Sequence, residues 1–170
     1  FGISVAKGLG LGIVKQLDDA YVAFFDFGST YTFHSLQEGF AVPYPGRYRV
    51  TVDAYPYQAD SPVTLTLYQG RMSGQAASLT KLIGTFDLVG DEHRMVAVTP
   101  FLRPGDLVSP SLDDNDAPPG DNPGRYCRAG ENVRDYKGEG IALKSMTIDG
   151  PLFDMWPPPS TRRLLTGVEF

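Results

Sequence analysis

The stretch that most constrains this chain is Gly46-Arg47-Tyr48-Arg49-Val50-Thr51-Val52-Asp53-Ala54-Tyr55. Tyr48, Val50, Val52 and Ala54 alternate with Arg49, Thr51, Asp53 and Tyr55, which puts apolar side chains on one side of an extended strand and polar ones on the other. Such a strand needs a second layer over its apolar face, so the chain is committed to a packed sheet. Pro43, Pro45 and Gly46 mark the strand's start. After Gln58 to Pro62 the pattern returns, with Val63, Leu65 and Leu67 alternating with Thr64, Thr66 and Tyr68 before Gln69-Gly70. The two runs are expected to pair as an antiparallel hairpin. Val50, Val52, Val63, Leu65 and Leu67 should then face the core.

Further strands are expected at Lys81 to Leu88, Arg94 to Phe101 and, after the Arg103-Pro104-Gly105-Asp106 turn, Leu107 to Ser109. Ile141 to Ile148 reads as the last strand, with apolar residues at Ile141 and Leu143 and then at Met146 and Ile148. That slip of one residue near Ser145 predicts a β-bulge. Tyr21 to Phe27 and Thr30 to His34, both aromatic and β-branched around Gly28-Ser29, read as another hairpin. Nineteen glycines and fourteen prolines approach a fifth of the chain and favour many short elements over long helices. The fold expected is all-β, an antiparallel β-sandwich of about eight strands.

Three segments follow. Residues 1–20 form an N-terminal segment, residues 21–150 the sandwich, and residues 151–170 a proline-rich tail leading to a following domain of a parent protein. In the first, Gly8, Gly10 and Gly12 precede the helix-compatible Val14, Leu17 and Tyr21. Ile13 occupies the position where a dinucleotide fingerprint needs its third glycine, no strand precedes, and no Walker-type Lys-Ser/Thr follows, so the segment reads as a flexible or edge piece. In the tail, Pro157-Pro158-Pro159 imposes polyproline geometry, Trp156 reads as a packing anchor, with a sugar platform as the alternative, and Arg162, Arg163 and Leu164 resemble the start of a helix.

With 170 residues and 42% hydrophobic content, the chain fits one globular domain. Fifteen basic against twenty acidic residues give a net charge of −5, which disfavours nucleic acid as a partner. Its longest apolar runs are far shorter than the ~20 residues of a membrane helix, so no membrane span is expected. Cys127, the single cysteine, cannot form an internal disulfide and belongs to no haem or zinc pattern. No nucleophile elbow, histidine-rich set or phosphate loop is present, and His34 and His93 stand in no nucleophile-like context, so no enzymatic activity is expected. Carboxylate pairs of the glycosidase kind depend on spatial separation rather than spacing, which keeps a hydrolase as a third reading.

Two groups of residues point to binding. The outward face of the expected hairpin brings Arg49, Thr51, Asp53 and Tyr55 together with Thr64, Thr66 and Tyr68. It mixes aromatic planes with donors and acceptors, the combination a sugar needs for its CH faces and hydroxyls. The candidate ligand-binding residues are Arg49, Asp53, Tyr55, Tyr57 and Tyr68; the alternative is an ordinary solvated face, or one covered by a second layer. The second group is acidic. Asp113, Asp114, Asp116 and Asp121, with Asn115 and Asn122, lie in a long loop from Ser111 to Glu139 and offer the clustered oxygens that Ca²⁺ takes, although the spacing is not that of an EF-hand. A solvated acidic loop is the alternative.

A resemblance adds context. Gly46 to Val50, Ala54 to Gln58, Pro62 to Leu65, Leu82 to Asp87, Leu102 to Asp106 and, most specifically, Gly150-Pro151-Leu152-Phe153-Asp154-Met155-Trp156-Pro157-Pro158 together resemble a β module of planctomycete-type multi-domain c-type cytochrome proteins. The likeness covers about Pro43 to Leu164. It implies a place between a haem domain and helical domains, with those domains as partners and a periplasmic or secreted location. The order of features is also similar to jelly-roll carbohydrate-binding modules, an analogy of pattern and fold. Tyr21 to Phe27 lacks the paired glutamates that calcium-dependent modules often carry. The resemblance implies a non-catalytic module that binds polysaccharide for a larger redox protein; Ca²⁺, offered by the acidic loop and not by the resemblance, is the only candidate cofactor. The alternative it leaves is a ligand-free docking module that holds the haem domain against the helical ones.

Overall fold

The structure, a computed structural model, describes residues 2–4, 14–25, 34–35, 39–74, 76–112 and 134–153. Among them are ten strands and no α-helix, arranged as two antiparallel sheets around one core. The strands are β1 (Gly2–Ser4), β2 (Val14–Gln16), β3 (Tyr21–Phe24), β4 (Gly46–Tyr57), β5 (Val63–Ser73), β6 (Ala76–Leu88), β7 (Arg94–Val98), β8 (Phe101–Leu102), β9 (Asp106–Leu112) and β10 (Gly140–Leu152).

β4 and β10 form the spine of the seven-stranded sheet. β10 pairs with β4 on one edge; on its other edge it pairs first with β3 and then with β1. β2 adds outside β3, and β7 and β8 share the far edge of β4. The second sheet is β6-β5-β9. As the alternation predicts, Tyr48, Val50, Val52 and Ala54 are buried, and they meet Val63, Leu65, Leu67, Val108 and Leu112 of the second sheet in one cluster. The bulge near Ser145 is present as a register shift between Leu143 and Ser145 that leaves Lys144 as the extra residue.

Two local expectations are corrected. β4 and β5 are not a hairpin: they belong to different sheets. Gln58 to Pro62 contains no two-residue primed-turn pair of the kind that folds a strand back beside its predecessor. A connection of this length instead crosses the ~10 Å between layers and sets the two apolar rows face to face. β2 and β10 occupy the two edges of Tyr21–Phe24; residues 26–33, on which the expected hairpin of Tyr21 to Phe27 with Thr30 to His34 turns, lie outside the described residues. Finally, Val14–Gln16 is a strand rather than helix, with Val14 buried against the core and Lys15 on the opposite face. β1 and β2 thus extend the sheet on the N-terminal side of Tyr21.

Two contacts fix the lower end of the sandwich, where β4 begins. Tyr48 is fully buried, donates its hydroxyl to Tyr44 O at 2.7 Å, and stands edge-on to Phe40. Burial raises its phenol above the ordinary value. The Gly150 backbone lies against the Tyr48 ring at φ +156°, where a Cβ would come within 2.5 Å of Cδ1. The β8–β9 turn is held by Asp106, 6% exposed, which accepts from Arg71 Nε at 2.7 Å, Gln69 Nε2 at 2.8 Å and Arg103 N at 2.8 Å. Burial by itself would raise the Asp106 carboxyl, but these bonds and the Arg71 charge together hold it below the ordinary carboxylate value.

Candidate functional site on the outer face of the seven-stranded sheet

Because Tyr48, Val50, Val52 and Ala54 point inward, Arg47, Arg49, Thr51, Asp53, Tyr55 and Tyr57 share the outer face of β4. The midpoint of this row is where polar and aromatic groups converge. β7 pairs antiparallel with β4, Met95 opposite Asp53, so the residue just before β7 arrives beside the same row. That residue is His93. Its ring stacks on Tyr55 with centroids 4.3 Å apart and planes tilted by 39°, and its Nδ1 lies 3.4 Å from Asp53 Oδ1. His93 is 43% exposed and the Asp53 side chain 20%, so the pair is open to solvent on one side.

A second charge pair adjoins the stack. The β10 bulge presents Lys144, whose Nζ lies 2.8 Å from Oδ2 of Asp19, in the turn between β2 and β3. The hydrogen bond to Lys144 holds the Asp19 carboxyl below its ordinary value, and the same bond raises the Lys144 ammonium. Burial raises the Tyr55 phenol, and the Asp19 charge raises it further while Lys144 opposes. Tyr55 is therefore neutral over the whole working range and keeps its hydroxyl as a donor. Two carboxylates and an ammonium thus surround one half-buried pair of rings, an imidazole and a phenol.

The remaining candidates fall elsewhere. Tyr57 packs into a small apolar cluster with Ala20, Val22, Phe24 and Ala142. Phe24 meets it edge-on at 5.8 Å, Tyr136 meets Phe24 at 5.0 Å, and Lys15 Nζ lies 5.4 Å over the Tyr57 ring while donating to Tyr136 O. Its role is to anchor the 134–139 segment to the sheet. Arg49 lies four residues from Asp53, ~13 Å along the strand, and stands opposite Asp149. Tyr68 does not join the site: it lies on the outer side of the other sheet, between Ser109 and Leu82. The expected single face with Thr64, Thr66 and Tyr68 is therefore split across the sandwich. Around Tyr68 the outward residues Thr66, Leu107, Ser109 and Ser111 are themselves buried, so that side is covered.

Asp113, Asp114, Asp116, Asp121, Cys127 and Trp156 lie outside the described residues. No group of three or more potential metal-binding side chains occurs among the described residues, nor does any helix long and apolar enough to cross a membrane. His93, Asp19 and Lys144 are the site residues that sequence reasoning misses. Only the pairing of β7 with β4, and of β10 with β3 and β4, brings them together. Comparison with known proteins gives no matching family model and no matching curated protein.

Proposed function

We propose that this domain is a non-catalytic carbohydrate-binding module and that its site is the Tyr55–His93 stack with Asp53, Asp19 and Lys144 around it. The observation that carries this reading is the stack itself: two rings tilted by 39° with centroids 4.3 Å apart, half open, with charged donors and acceptors at their edges. A pyranose places its CH groups on such a surface and its hydroxyls on such a rim. The likeness to jelly-roll carbohydrate-binding modules supports the same class. The likeness to a module of multi-domain cytochrome proteins supports its belonging to a larger secreted or periplasmic protein.

Hydroxyl hydrogen bonds exchange against water and yield little net energy, so affinity for single sugars is weak and retention appears first with polymers. Affinity electrophoresis in gels containing β-glucan, xylan, mannan, galactan or polygalacturonate tests the reading. Tyr55→Ala and His93→Ala should each weaken retention of whichever polymer binds, whereas Tyr68→Ala, on the other sheet, should leave it unchanged. The reading is refuted if no polymer is retained by the wild type, or if retention is indifferent to both Tyr55 and His93.

A further inference from the structure

At the other end of β4, ~26 Å from Tyr55 along the strand, the outer face changes character. Phe101 on β8 and Leu152 on β10 both stand directly opposite Arg47, one on each side, so the three form a row across adjacent strands. Leu152 reaches this position through a register shift between Asp149 and Leu152. Phe101 is 48% exposed and Leu152 40% exposed, and Arg47 is exposed between them. The Arg103 guanidinium lies 5.5 Å over the Phe101 ring.

The backbone under Phe101 is held from both sides, although the ring itself packs into no core. Gln69 Nε2 donates to Phe101 O at 3.2 Å, and Tyr48 N donates to Pro100 O at 3.0 Å. Asp106 accepts from Arg103 N, and its own N–H donates to Arg103 O at 2.9 Å. An aromatic ring left half in water on a fixed stretch of backbone adds little to stability, but its position is preorganised for contact. Neither the Arg47 nor the Arg103 guanidinium has a carboxylate partner among the described residues, in a chain whose net charge is −5.

We propose that this row is a docking surface for an acidic segment of a partner protein, one that sets an apolar side chain against Phe101 and Leu152 and carboxylates on Arg47 and Arg103. Rigid aromatics and arginines are the residues that dominate protein interfaces, and the planar guanidinium matches a carboxylate through two parallel hydrogen bonds. A glycan fits the row less well, since Leu152 and two guanidiniums offer donors and apolar surface but no acceptor for a hydroxyl proton.

The test uses the whole chain and an array of labelled peptides carrying a leucine, phenylalanine or tryptophan between glutamates, with lysine-flanked counterparts. Acidic peptides should bind and lysine-flanked ones should not, with affinity falling as salt rises. Phe101→Ala and Arg47→Gln should each weaken binding about tenfold or more. Arg103→Gln should do so less, because its charge is shared with the ring. All three side chains are solvent-facing, so the variants should melt with the wild type, and Tyr55→Ala should leave peptide binding intact. The proposal is overturned if no acidic peptide binds, if binding ignores both Phe101 and Arg47, or if these two residues govern retention by polygalacturonate instead.

Discussion

Among the described residues, Asp106 is the one buried carboxylate, and its partners tie the two sheets together, since Arg71 and Gln69 come from β5 while Arg103 leads out of β8. Asp106→Ala removes the acceptor from three donors at once. Losing a partner should cost roughly 1 kcal/mol for each of the two donors at the partly buried end, Gln69 Nε2 and Arg103 N–H. Arg71 is 60% exposed and can turn to water, so its share should be below about 1 kcal/mol. The total is about 2 to 3 kcal/mol, read as a fall in the urea midpoint at unchanged slope. Asp106→Asn should cost less. Its amide oxygen can still accept from Gln69 and Arg103, leaving the amide nitrogen toward Arg71.

The pH dependence separates charge from shape. The folded-state pKa of Asp106 lies below the unfolded carboxylate value of about 3.9. A depressed pKa contributes stability that is complete above the unfolded value and is lost as pH falls through the folded one. The gap between wild type and Asp106→Asn should therefore be constant above about pH 5 and should close as the pH falls below about 4. Urea titrations at pH 7, 5, 4 and 3 measure it. A cost for Asp106→Ala below about 0.5 kcal/mol would show that the donors are equally well served by water. A gap that stays constant down to pH 3 would show that the charge is not what stabilises the turn.

Two further outcomes follow from the packing. Leu65 is 1% exposed at the centre of the inter-sheet core, so Leu65→Ala should cost about 2 to 5 kcal/mol in denaturant unfolding, the spread reflecting how far the cavity collapses. Gly150→Ala should cost about 1 to 3 kcal/mol, because the new methyl meets the buried Tyr48 ring and the backbone sits where side chains are rarely tolerated. A thermal melt within about 1 °C of wild type would place slack around Tyr48 that the packing does not show.

Strand positions are legible in this sequence because alternation is a property of each strand alone, and the inward rows of β4 and β5 follow from it residue by residue. Pairing is a property of two strands, and alternation is silent about which sheet a strand joins. The Val63 to Tyr68 run satisfies the pattern equally well as a neighbour of β4 or as its opposite number across the core. That one ambiguity decides the fate of the site. Read as a hairpin, it places Tyr68 beside Tyr55; read as a crossing between layers, it sends Tyr68 to the far side and leaves an open position next to Asp53. β7 fills that position, and with it comes His93, whose own neighbours Glu92 and Arg94 carry no sign of a binding role. Lys144 and Asp19 are hidden for a related reason. The bulge that exposes Lys144 is visible as a slip in the apolar pattern, but the turn that brings Asp19 to it lies 125 residues earlier in the chain. An outer face assembled around one strand's outward row is thus half readable from that row, and the half that brings its imidazole, ammonium and second carboxylate arrives by topology.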